Sequence, residues 1–98
     1  MLSKEKILKI LREKKGLLSQ YGVNKIGLFG SYSNKTATKD SDIDILIDFH
    51  SEFETYDNLL SIYDVLENSF KNNRIDIVTK NGLSKYIGSY ILNETEYA

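Results

Sequence analysis

The stretch "DSDIDILIDF", residues 40–49, decides how this chain is read. Strand alternation sends Ile43, Ile45, Ile47 and Phe49 to one face and Asp42, Asp44, Leu46 and Asp48 to the other. The first face is a core face. The second gathers carboxylates that repel one another and add little to packing. A solvated sheet surface is the bland explanation, and it suits Asp48. It suits Asp42 and Asp44 less well, since they sit together at the strand's start, just after a turn formed by Asp40 and Ser41.

Working outward, "KIGLFG" (25–30) is a short apolar run with the length of a buried strand. It ends at Gly30-Ser31, and the polar "YSNKTATKDS" that follows has room for one helical turn and a loop. Residues 3–20 predict an amphipathic helix with Ile7, Ile10, Leu11 and Leu18 inward, Ser3 as N-cap and Gly22 as the stop. A second helix is expected over 56–70 (Leu59, Ile62, Tyr63, Leu66, Phe70), then a strand "RIDIVT" over 74–79 carrying Asp76. A last helix is expected over 83–97, using Leu83, Ile87, Tyr90 and Ile91. The expected fold class is α/β (α+β), a small mixed sheet covered by helices, as one domain over 1–98.

Composition narrows the function. A net charge of −1 offers no general basic surface for a nucleic-acid backbone, so direct nucleic-acid binding is not expected. With no cysteine, disulfides and thiolate metal sites are excluded. No apolar run has the length of a membrane span and the N-terminal region lacks a signal-peptide core, so the expected setting is cytoplasmic. The basic residues of the first helix read as its solvated face.

The spacing of the acids suggests chemistry. Asp42 and Asp44 have Cα atoms roughly 6–7 Å apart, with both side chains on one face. Such carboxylates suit magnesium, and two ions about 3.5–4 Å apart can clamp the attacking and leaving oxygens of a phosphoryl displacement. Asp76 is a natural third carboxylate if its strand lies alongside, as metal ligand or as acceptor of the attacking hydroxyl's proton. Gly30 allows close backbone approach to a phosphate, and Ser31 offers a hydroxyl donor.

Together these residues form "GSYSNKTATKDSDID", which fits the Gly-Ser-x10-Asp-x-Asp signature of the DNA polymerase beta-like nucleotidyltransferases. The whole chain resembles the minimal nucleotidyltransferase (MNT) domain proteins. The resemblance implies that Asp42, Asp44 and Asp76 bind two magnesium ions and that Gly30 and Ser31 hold the triphosphate of ATP. It also implies an antitoxin, acting in a hetero-oligomer with a HEPN-domain ribonuclease toxin and transferring AMP from ATP to a toxin tyrosine. Relatives often continue with Ala-Arg-Gly where this chain has Ser33-Asn34-Lys35, so Asn34 replaces a phosphate-gripping guanidinium and Lys35 is the substitute cation. Two other functions fit the same residues: an MNT domain that neutralises its toxin by binding alone, and a small-molecule nucleotidyltransferase. The chain's small size argues against the latter, since no part of it is left over to enclose an acceptor. Tyr32, beside the Gly-Ser pair, is a candidate for lining the nucleotide site, whereas His50 reads as a solvated loop residue.

Overall fold

A computed structural model describes residues 1–98. Four helices, α1 (Lys4–Ser19), α2 (Gly30–Ser33), α3 (Tyr56–Ser69) and α4 (Gly88–Glu94), accompany four strands: β1 (Val23–Phe29), β2 (Ile43–Phe49), β3 (Ile75–Thr79) and β4 (Glu96–Tyr97). The sheet order is β3-β2-β1-β4; β1 runs antiparallel to β2 and β4, and β2 runs parallel to β3. A parallel pair needs a crossover, and α3 supplies it.

Local chemistry accounts for the first half. The Ser3 hydroxyl accepts the Lys6 N–H at 3.0 Å and caps α1. The helix ends at Ser19, and a turn carries the chain to Gly22, whose φ of +89° is cheap only for glycine. A register shift between Val23 and Lys25 lets Val23 join Ile26 and Leu28 on the buried side of β1 despite its odd spacing. Ile7, Leu11 and Leu18 of α1, with Ile62 and Leu66 of α3, close over Ile43, Ile45 and Ile47 of β2, all fully buried. Each such side chain contributes about 1.5–3 kcal/mol on leaving water. The isoleucine face of "DIDILIDF" is therefore the core face, as its alternation requires. On the opposite side Leu46 is also fully buried, so that face is only partly polar.

The C-terminal region differs from the expected helix over 83–97. After β3 comes a 3-10 turn at Lys80–Gly82; only Gly88–Glu94 is α-helical, and Glu96–Tyr97 is a strand. The expected stripe is not buried as a unit: Leu83 and Ile91 are half-buried, Ile87 is 55% and Tyr90 70% exposed, and Leu83 lies where a Cβ on Gly88 would project. Pairing with the free edge of β1 satisfies the backbone instead. The Ala98 N–H donates to the Ile26 carbonyl at 2.9 Å, Glu96 pairs with Lys4, and the Lys25 ammonium stands 5.7 Å above the Tyr97 ring. No helix is long and apolar enough to cross a membrane.

Gly22 carries two constraints, its left-handed backbone and the Phe53 side chain lying where a Cβ would project. Gly22→Ala is expected to cost about 2 kcal/mol, combining backbone strain with displacement of Phe53. A lower urea midpoint at unchanged slope checks this.

Candidate active site

Both halves of the Gly-Ser/Asp-x-Asp motif meet at one end of the sheet. Asp42 lies at the entry to β2 and Asp44 within it, while the parallel register sets Asp76 of β3 directly beside Asp44. Adjacent strands are about 4.8 Å apart, so the pairing forces like charges together. On the other side Asp44 pairs with Phe29, after which Gly30 turns the chain with φ +75°. A Cβ on Gly30 would collide with the Asp44 carboxylate. Glycine is needed there both for its backbone angle and for that approach. Ser31, half-buried, follows in the first turn of α2.

Negative charge dominates the electrostatics of this corner. The Asp44 carboxyl is pushed up from an ordinary 3.8 to about 6, first by burial and then by the charges of Asp76, Asp42 and Glu94. Arg74 brings Nε to 2.9 Å from Asp42 Oδ1, but the approach lacks hydrogen-bond alignment, and that solvent-shielded oxygen has no hydrogen-bond donor. Arg74 also donates from Nη2 to the Asp40 carbonyl at 3.2 Å, tying down the turn that precedes β2. Its side chain is 79% exposed, so it offsets little of the negative field.

An all-oxygen donor set with an orphaned carboxylate oxygen suits a hard divalent cation. No three acidic or histidine side chains converge as a ready-made chelate, as mutual repulsion dictates for carboxylates without a counter-charge. Two cavities, of about 200 and 500 Å³, are both lined by Leu2 and Tyr32 and include none of Asp42, Asp44, Asp76 or Glu94.

Other expectations resolve differently. Tyr32 does not line the acidic corner: it is 3% exposed within the main core, and its hydroxyl accepts from Asn73 Nδ2 at 3.4 Å. Asn34 ends α2 and accepts the Thr36 hydroxyl. Lys35, with φ +64°, pairs with Glu5 of α1 at 3.4 Å, an exposed ion pair. His50 is exposed, as expected. Two residues at the corner escaped the sequence reading. Arg74 shows no local signal beyond preceding the strand. Glu94 lay within a segment expected to be helix, yet its Oε1 accepts the Gly30 N–H at 2.9 Å across 64 residues of chain.

The sign of the Asp44 shift fixes a pH dependence. A carboxyl raised on folding binds its proton more tightly in the native state, so its contribution is favourable below about 4 and is lost as pH rises through about 6. Metal-free protein is therefore expected to lose thermal stability between these values. Asp44→Asn should flatten that slope and melt several degrees higher than the wild type at pH 7, measured by thermal melts in chelator.

Comparison with known proteins shows the family. The chain matches the nucleotidyltransferase domain family over residues 4–98. The protein adenylyltransferase MntA of Thermococcus cleftensis is 39% identical over 98 residues, spanning 99% of this chain and 97% of that protein. A candidate protein adenylyltransferase of Methanocaldococcus jannaschii is 38% identical over 84 residues, or 85% of this chain and 95% of its own. A solved candidate minimal nucleotidyltransferase superposes with a TM-score of 0.83 at 26% identity, covering 97% of this chain and 95% of that one. A toxin-antitoxin crystal structure with AMP-PNP superposes with a TM-score of 0.64, also at 26% identity, covering 98% and 72%. The chain belongs to the nucleotidyltransferase domain family, among its minimal members.

Proposed function

We propose that this protein is an antitoxin that transfers AMP from ATP to a tyrosine of a partner HEPN-domain ribonuclease toxin. The observation that carries the reading is the contact of Gly30 with Asp44, with Asp76 in register beside it, which sets a phosphate-approach backbone against a pair of carboxylates. The names of the relatives, protein adenylyltransferase and toxin-antitoxin, support the acceptor class.

In this reading Asp42, Asp44 and Asp76 would hold two magnesium ions. Bound there, magnesium supplies charge neutralisation for the triphosphate and the transition state. The Gly30 N–H and the Ser31 hydroxyl hold phosphate oxygens. Asp76, exposed at the sheet margin, takes the proton of the incoming tyrosine hydroxyl. The tyrosine oxygen bonds to the α-phosphorus, the bond from that phosphorus to the bridging oxygen breaks, and pyrophosphate leaves. The acceptor tyrosine is carried on the partner's surface and meets the acids at the end of the sheet. Tyr86, Ile87 and Tyr90, exposed on and before α4, offer apolar area for that partner.

Asn34 favours a second reading, in which the protein neutralises its toxin by binding alone, since the guanidinium common in relatives is missing. Labelled ATP, magnesium and the co-expressed toxin separate the two. Asp42→Asn and Asp44→Asn are expected to stay folded and bound to the toxin but to lose AMP transfer by about 10²–10³-fold or more. Transfer at the wild-type rate by either variant would remove these acids from the mechanism, and no transfer by the wild type would favour the binding-only antitoxin.

A further inference from the structure

The Gly30 N–H, assigned above to a phosphate oxygen, is already bonded to an anion: Glu94 Oε1 lies 2.9 Å away. We infer that Glu94 is an internal latch on the nucleotide site, holding this donor in the free protein and releasing it when a polyphosphate binds. The inference rests on the proposed nucleotide site at Gly30 and Ser31.

Three features favour a latch over a simple brace. A charge-assisted bond from a backbone N–H to a carboxylate uses the same donor and geometry that a phosphate oxygen would use. A glutamine would brace the Gly30 N–H through a neutral hydrogen bond without adding a fourth negative charge beside Asp44, which Glu94 does add. The backbone of Glu94 is also fixed independently of its carboxylate. Its carbonyl accepts from Ser33 Oγ at 3.4 Å, and the next residues are pinned by the Thr95 hydroxyl on Ile91 (2.7 Å) and by β4. Release therefore needs only a side-chain rotation, with α4 and β4 in place.

One N–H cannot serve a carboxylate and a phosphate at full strength, and the two anions repel. A latch closed nine-tenths of the time weakens apparent affinity about tenfold. Titration calorimetry of the full chain with inorganic triphosphate and with ATP, in magnesium buffer, tests this. Glu94→Ala is expected to bind both probes about tenfold tighter than wild type, and Glu94→Gln, which keeps the hydrogen bond, to gain less. Glu13→Gln makes the same charge change on the exposed side of α1 and should match wild type. The Gly30 amide resonance should move in wild type on adding triphosphate. Binding by wild type with no gain in either Glu94 variant overturns the latch alone. Binding by none of the four proteins overturns the nucleotide site and the latch with it.

Discussion

The structure turns on one unfavourable encounter: Asp44 set beside Asp76 in the register of two parallel strands. Nothing in the register can relax it, because sliding either strand by one residue would turn its isoleucines away from the core. The core thus enforces the repulsion. Burial of Ile43, Ile45 and Ile47 against α1 and α3 is worth several kcal/mol, more than neighbouring carboxylates cost in a half-exposed setting. Gly30 completes the arrangement by bringing backbone against Asp44, where any other residue would intrude. The corner is held under electrostatic tension that a cation would relieve.

What could be read from the sequence follows from this. The alternation in residues 42–49, the N-cap Ser3 and the stop at Gly22 are local signals, so β2 and the limits of α1 were legible. The motif joined Gly30 to Asp42 and Asp44 because its two halves lie close in sequence. Asp76 required only that β3 neighbour β2. By contrast, the short α4 and the strand after it depend on β1 having a free edge, which no local pattern reports. Helical spacing of Leu83, Ile87, Tyr90 and Ile91 promised a buried stripe, but Ile87 and Tyr90 stay exposed. The same blindness hid Glu94, whose relation to Gly30 exists only in the folded molecule. Tyr32 was ambiguous from sequence because an aromatic after Gly-Ser serves packing and ligand contact equally well; the core claims it.

The C-terminal segment links sheet and site. β4 is only two residues long, yet Glu96, Tyr97 and Ala98 each find a partner on α1 or β1. Those attachments hold Thr95 over Gly27 and keep Glu94 within reach of Gly30. The end of the chain is thus coupled to the corner where the acids meet, through strand pairing and not through the core.

Asp76 has one more consequence, which concerns neighbouring molecules. β3 is an edge strand, and its outer rim of unpaired N–H and C=O groups is a template on which a second chain could add a strand. At the other margin β4 is too short to recruit one. β3 spans five residues with apolar Ile75, Ile77 and Val78, and its exposed Asp76 stands between the two isoleucines. A charge on an edge strand discourages strand addition, so the residue proposed to accept a proton also guards this edge against a second copy of the protein.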